Sequence, residues 1–78
     1  MRLDSRHIKK RSGAGWMDVK AARLRKYDVF RMVEPSGELV VGHMGNIDWV
    51  ATMDALSRED GGWFVRAIPY RNVTPHGS

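Results

Sequence analysis

With 78 residues and no cysteine, the chain is long enough for one small domain and can form neither a disulfide nor a thiolate metal site. Its longest apolar runs have only a few residues, far short of the ~20 that cross a membrane, and its first residues lack the apolar stretch of a signal peptide. Together with the missing cysteine, these features favour a cytoplasmic protein with no membrane partner.

The basic residues are concentrated in the first third of the chain. Residues 1–26 hold nine Lys and Arg against two acids, whereas residues 27–78 hold four Arg against seven acids, and the formal net charge is +4. A strongly basic segment beside a mildly acidic one usually faces an anionic partner. We therefore expect the first segment to bind something anionic.

Residues 1–15 are predicted to form a flexible basic arm. Leu3 and Ile8 are their only sizeable apolar side chains, and the segment ends in small residues at 12–15 that have little to pack. This composition is typical of disorder or of a short helix.

Residues 16–26 fit two secondary structures. Met17, Val19 and Ala21 alternate with polar residues, as in a strand, while Met17, Ala21 and Leu24 fall at helical spacing. We favour the strand because the residues that follow are clearly β, and the helix remains an alternative.

In the remainder of the chain, turn residues separate short strand-forming segments, as in a β-meander. Strand-forming residues at 28–33 precede a turn at 34–37, and residues 38–44 form the return strand. In the turn, Pro35 sets φ at the second position and Gly37 accepts a positive φ.

The second half of this meander carries the clearest strand pattern. Apolar residues alternate with mostly polar ones over 47–55, which produces one apolar face and one polar face. A hairpin loop at 57–62 contains two glycines that accept left-handed φ. Residues 63–70 form the last long strand, in which Pro69 marks an edge or the strand's end.

A resemblance to the SH3-like small β-barrels spans residues 17–74. Residues 24–30 (LRKYDVF) resemble the Leu-x-x-Gly-Asp-Val segment that leads into the second strand of many such barrels, and residues 68–70 (IPY) are similar to their closing turn. Tyr27 stands where those families usually carry Gly. The resemblance implies a barrel-like fold, and because SH3-like barrels act as RNA, DNA and protein adaptors it implies no particular ligand.

The predicted fold class is all-β: a small SH3-like barrel or a five-stranded antiparallel meander with a flexible basic N-terminal arm. Its parts are the arm at 1–15, one small β domain at 16–74 and a tail at 75–78. An open sheet of this kind must close, pair or be covered to bury its apolar face.

No catalytic constellation is visible in the sequence. His7, His43 and His76 lack the spacing of a metal site, and the acids are scattered over turns and a polar strand face. No serine lies in a nucleophile elbow, and the early glycines lack the Gly-Lys-Ser/Thr of a phosphate loop. We predict that the protein is not an enzyme and uses no cofactor or metal.

The basic residues are the best candidates for a functional site, because such a cluster supplies an electrostatic footprint on a phosphate backbone. The predicted nucleic-acid-binding set is Arg2, Arg6, Lys9, Lys10, Arg11, Lys20, Arg23, Arg25, Lys26, Arg66 and Arg71. An equally weighted alternative is a solvated tail. A further alternative is contact with the acidic surface of a partner protein or of a neighbouring subunit.

Aromatic residues near the end of the chain form a second candidate site. Trp63 and Phe64 are adjacent and would point to opposite faces of a strand, while Phe64, Arg66 and Tyr70 would share one face. An Arg among aromatics is typical of a base-stacking platform and equally of a subunit interface. We predict that Trp63, Phe64 and Tyr70 serve one of these roles.

These features favour a small non-enzymatic module that binds nucleic acid or another polyanion, mainly through the arm and largely without sequence preference. The alternative is a protein-interaction or regulatory accessory module. Such a module would dock on an acidic partner protein or form a homodimer through its second apolar sheet face. A titration with DNA or RNA at low and high salt separates the two hypotheses.

Overall fold

A computed structural model describes Leu3 and residues 6–70 of the chain. These residues form seven β-strands and one 3-10 turn at Ala21–Arg23, with no α-helix among them. The strands are β1 (His7–Ser12), β2 (Gly15–Val19), β3 (Val29–Val33), β4 (Trp49–Ala51), β5 (Leu56–Ser57), β6 (Trp63–Phe64) and β7 (Ala67–Pro69). The all-β prediction is confirmed. The remaining parts of the predicted arm and tail lie outside the described residues.

Five strands form one antiparallel sheet in the order β2-β1-β3-β4-β7, and β5 pairs with β6 in a second sheet of two strands. The sequence predicts a five-stranded antiparallel sheet, but the strands that form it are not the predicted five. β1 lies inside this sheet, and β2 and β7 are its edges. In the part of the chain that the structure describes, no helix has the length and apolarity needed to cross a bilayer.

β1 corrects the prediction of a flexible arm over residues 7–12. It pairs with β2 on one side and with β3 on the other, where Ile8 lies opposite Met32. Ile8 is 1% exposed, and the backbone N–H of Leu3 donates to the carbonyl oxygen of Trp63 at 3.0 Å. Pairing on both sides satisfies the backbone polar groups of β1, and burial of Ile8 adds about 1.5–3 kcal/mol. The backbone pairing and the burial of Ile8 together order a segment whose composition alone favours disorder.

The segment after β1 combines a strand with a 3-10 turn. Gly13, at φ +57°, lies in the turn between β1 and β2, and β2 confirms the strand interpretation for residues 15–19. The chain then turns at Ala21–Arg23, so the helix alternative holds only for one short 3-10 turn. Leu24 follows this turn with 0% exposure and anchors it in the core.

The turn predicted at 34–37 forms, with Gly37 at φ +96° and its N–H bonded to the carbonyl of Glu34 at 2.8 Å. The return strand predicted at 38–44 is wrong: only Leu39 makes a bridge, to Val33. Gly42 lies instead against an aromatic ring. A Cβ at this position would stand 2.7 Å from Cη2 of Trp49. The start of this segment keeps backbone hydrogen bonds, with the N–H of Val40 donating to the carbonyl oxygen of Met32 at 2.9 Å, and beyond it the backbone at Gly42 packs on the indole ring.

The alternating pattern at 47–55 predicts the buried face correctly, although only Trp49–Ala51 is a strand. Ala51 is 1% exposed, and Trp49, Met53 and Ala55 pack against the core. The chain bends at residues 52 and 53, and the apolar side chains beyond the bend still face the core.

The last predicted strand, 63–70, is divided at Val65. β6 pairs with β5 in the small sheet, whereas β7 pairs with β4 in the large one. Val65 has 0% exposure and fills the core where the chain passes from one sheet to the other. The hairpin loop at 57–62 is confirmed, with the N–H of Arg58 bonded to the carbonyl of Gly62 at 2.7 Å.

The two faces of the large sheet differ in burial. One face contributes to a core whose buried side chains are Leu3, Ile8, Leu24, Phe30, Met32, Ala51 and Val65. We name the opposite side the outer face; strand register places on it His7, Lys9, Arg11, Trp16, Asp18, Val29, Arg31, Val33, Val50 and Ile68. None of these ten residues is buried.

Candidate anion-binding site

Three cations of the predicted binding set pair with carboxylates of the chain itself. The pairs are Arg6–Glu34 at 3.0 Å, Lys9–Asp18 at 3.3 Å and Lys10–Asp28 at 3.4 Å. The paired side chains are between 16% and 70% exposed, so solvent screens these pairs to differing extents, but each pair lowers the charge available to an external anion. The strand β1 thus carries less free charge than the sequence alone indicates.

Two further members of the set, Arg25 and Lys26, contact uncharged groups. Nη1 of Arg25 donates to the carbonyl oxygens of Ala22 at 3.0 Å and Leu24 at 3.3 Å. Nζ of Lys26 lies 5.1 Å from the ring centroid of Tyr27. Because neither partner carries a formal charge, both cations keep their full positive charge.

Four members of the set are exposed and make no ion pair or side-chain hydrogen bond within the described residues. They are Arg11, Lys20, Arg23 and Arg66. Arg2 and Arg71, the two remaining members, lie outside the described part of the chain. The free positive charge therefore lies on Arg11, on the cations of residues 20–26 and on Arg66.

The 3-10 turn brings two of these free cations together. Lys20 is the extended residue just before the turn and Arg23 is its last residue, and both line the same open depression. The N–H of Arg23 donates to the carbonyl oxygen of Lys20 at 2.8 Å, which closes the turn. The buried Leu24 then holds the turn against the sheet. A short Ala-rich segment between a strand and a buried Leu thus brings two cations to one depression.

These cations border an open cleft of about 580 Å³, which we name the basic cleft. It is lined by Lys10, Met17, Asp18, Val19, Lys20, Arg23 and Arg25. Four of these seven residues are cations and one is an acid. Lys10 and Asp18 already have ion-pair partners, so the uncompensated positive charge of the cleft comes from Lys20, Arg23 and Arg25.

A second depression of about 390 Å³ shares Asp18, Val19 and Lys20 with the basic cleft. Arg6 and His7 line it from β1. Lys20 therefore stands between two depressions, and the positive surface continues from one to the other across the end of β2.

The aromatic platform predicted around Phe64 and Tyr70 does not form as expected. The alternation that would align Phe64, Arg66 and Tyr70 requires one continuous strand, and the chain changes sheets between β6 and β7. Trp63 packs against the core, and the N–H of Tyr70 donates to the carbonyl oxygen of Asp48 at 3.0 Å. These residues are tied to the fold by separate contacts.

Trp16, for which the sequence predicts no role, is an aromatic residue that the structure places beside Arg11, which is unpaired within the described residues. It is 37% exposed on the outer face, opposite Arg11 across the β1–β2 pair. The guanidinium carbon of Arg31 lies 3.8 Å from its ring centroid. No local signal reveals this arrangement, because it depends on the register between three strands.

Among the described residues, no group of three or more His, Cys, Asp or Glu side chains is placed to hold a metal ion. Comparison with protein-family models, with curated proteins and with solved structures finds no match to this chain. The resemblance to SH3-like barrels therefore stays a prediction, and the site is interpreted from its own geometry.

Proposed function

We propose that this protein is a small, non-enzymatic module that binds nucleic acid through its phosphate backbone. The observation that supports it best is the convergence of Lys20 and Arg23, both without a carboxylate partner, on the open basic cleft. Arg25 adds a third uncompensated charge. Cations grouped in this way attract an anion with several neighbouring charges better than they attract a single one.

The chemistry of the cleft favours phosphate over the carboxylates of a protein surface. Arg23 and Arg25 can each hold two oxygens of one phosphate, in a geometry that a lone ammonium cannot provide. Met17, which is 49% exposed, supplies an apolar wall beside these charges for a sugar or a base edge. Contacts of this kind position the nucleic acid without selecting its sequence.

The proposal differs from the arm hypothesis in where the contacts lie. Arg11 and the turn residues make the main contacts, and Arg6, Lys9 and Lys10 contribute less because of their ion pairs. With about four phosphates engaged, log K falls with log salt at a slope of about −3. A cytoplasmic location, in keeping with the lack of cysteine, is part of the same proposal.

The test is a titration of a labelled oligonucleotide of ~20 residues at ~50 mM salt and at higher salt. The double variant Lys20→Ala/Arg23→Ala should bind about 10- to 50-fold more weakly and show a slope smaller by about 1.5. The matched control is Arg58→Ala/Arg66→Ala, which changes the net charge equally at residues that do not line the basic cleft.

Equal losses in the two double variants would mean that diffuse charge, and not the cleft, drives binding. No binding by the unaltered protein at low salt would overturn the proposal and leave the protein-interaction hypothesis ahead. Weak binding by Arg66→Ala alone would place that residue among the main contacts.

A further inference from the structure

Beside the basic cleft, the structure presents a tryptophan on a sheet surface that the described residues leave open. None of the ten residues of the outer face is buried, while the other side of the same strands buries Ile8, Phe30 and Met32. A sheet face that carries Trp16, valines and an isoleucine 54% exposed offers contact area that the fold itself does not use.

The ring of Trp16 is held in place by a fixed guanidinium. Arg31 lies 3.8 Å from the ring centroid, and its Nη2 pairs with Oδ1 of Asp48 at 2.9 Å. The side chains of Arg31 and Asp48 are only 22% and 21% exposed. Because the charge of Arg31 is already compensated by Asp48, this arginine serves to support the ring.

A free cation stands next to the supported ring. Arg11 lies directly opposite Trp16 in the β1–β2 register, where side chains of an antiparallel pair are neighbours. Arg11 is exposed and has no ion pair within the described residues. A flat aromatic surface beside a free guanidinium matches one nucleotide unit, with the base on the ring and its phosphate on the cation.

The ring and the basic cleft meet at the edge of the sheet. β2 is an edge strand, and its consecutive residues Trp16 and Met17 point to opposite sides of it. Trp16 therefore faces outward and Met17 faces the cleft. A flexible chain that crosses this edge can contact Trp16, Arg11 and then Lys20 and Arg23 in succession.

We infer that the nucleic acid is single-stranded, and that one base stacks on Trp16 while the adjoining phosphates engage Arg11 and the basic cleft. This inference rests on the proposed function. In a duplex the bases are stacked on one another and paired, so their flat faces are not free for Trp16. A second copy of this chain is a poorer occupant, because within the described residues Lys9 and Arg31 are paired with Asp18 and Asp48 while Arg11 is not, so two outer faces that meet bring together two uncompensated positive charges.

The first test needs no altered protein. A single strand of ~12 thymidines is compared with an abasic strand that has the same number of phosphates and with a duplex of the same length. The thymidine strand should bind roughly 5- to 150-fold more tightly than the abasic strand, the range of one stacked base. Equal affinity for the two strands, or tighter binding of the duplex, overturns the inference and leaves the phosphate-binding proposal intact.

The second test assigns the stacking to a residue. Trp16→Ala should lower affinity for the thymidine strand about 10-fold with an unchanged salt slope, because no phosphate contact is lost. Trp16→Phe should keep most of the affinity. Arg23→Ala, in contrast, should reduce the salt slope by about 0.8 for single strand and duplex alike.

The outcomes separate the two proposals. If Trp16→Ala binds the thymidine strand as tightly as the unaltered protein, the stacking assignment fails while the cleft can still be correct. If no oligonucleotide binds, both proposals fail. If an apolar or acidic peptide competes at Trp16 and nucleic acid does not, the outer face is a protein-docking surface.

Discussion

The backbone N–H of Tyr27 donates a hydrogen bond to the carbonyl oxygen of Ala51 at 2.8 Å, with Tyr27 at φ +79°. Tyr27 is the one non-glycine residue with positive φ in the described part of the chain, and its side chain is 74% exposed. A left-handed conformation costs an ordinary residue about 1–2 kcal/mol, and glycine avoids that cost. The hydrogen bond helps to hold the strained conformation at the entry to β3.

Tyr27→Gly should therefore stabilise the protein by about 1 kcal/mol, which corresponds to a rise of about 4–8 °C in Tm for a domain of this size. Thermal unfolding measures it. Tyr27→Ala is the matched control, since it removes the ring and its contact with Lys26 but keeps a Cβ at positive φ. If alanine stabilises as much as glycine, backbone strain is not the cause.

The position of β1 predicts a large effect at a residue that a flexible arm would leave unimportant. Ile8→Ala should destabilise the protein by about 2–5 kcal/mol, because Ile8 is 1% exposed in the core. Ile68→Ala is the same substitution at a position 54% exposed and should cost well under about 1 kcal/mol. The urea midpoints of the two variants decide between a central strand and an arm.

Removal of residues 1–15 should for the same reason abolish cooperative unfolding. The truncation takes away β1, which pairs with β2 and β3. Far-UV circular dichroism and a urea titration check this expectation. A truncated chain that unfolds with the midpoint of the full chain would show that β1 is dispensable and would contradict the described topology.

Close packing at Gly42 predicts a second sharp stability effect. In Gly42→Ala, the new Cβ would contact Oδ1 of Asn46 and stand 2.7 Å from Cη2 of Trp49, so the ring or the backbone must shift. We expect a loss of about 1–3 kcal/mol. Gly15→Ala is the control, since a methyl group added at that position would have no atom within 4 Å. Similar unfolding midpoints for both variants would contradict the packing of Gly42 on Trp49.

Charge on the outer face predicts the oligomeric state. Lys9 and Arg31 are paired with Asp18 and Asp48, whereas Arg11 has no ion pair within the described residues, so a face-to-face dimer brings together two copies of an uncompensated cation. Size-exclusion chromatography with light scattering at ~100 µM and low salt, where repulsion is strongest, should give the monomer mass of 8.9 kDa. A dimer that Ile68→Asp dissociates would instead support the homodimer hypothesis.

Local patterns account for the parts of the structure that the sequence predicts well. The turn around Gly37 and the loop around Gly61 follow from φ preferences of a few residues, and the buried face of 47–55 follows from its period of two. The strand predicted at 38–44 does not form, because this segment makes only one bridge to a neighbouring strand. The strand predicted at 63–70 is divided, because its two halves pair in different sheets. Strand formation depends on the partner as well as on the strand.

In the candidate site too, local sequence predicts some features and long-range pairing decides the others. Composition identifies the basic residues, including Lys20 and Arg23, without indicating which of them are neutralised. Lys10 and Asp28 pair across 18 positions of sequence, and no local pattern distinguishes that lysine from a free one. Alternation predicts the stacking site at Phe64 and Tyr70, whereas Trp16 acquires its neighbours Arg11 and Arg31 through strand pairing.

By itself, the sequence determined an all-β chain with a basic first third, because alternation, turn chemistry and charge are properties of neighbouring residues. Only the tertiary structure decided that the first segment is an inner strand, that Lys20 and Arg23 share a cleft, and that Trp16 faces Arg11. These features arise from hydrogen-bond register and burial between segments far apart in the chain. The free energy of such pairing depends on both segments, so neither segment's sequence determines it alone.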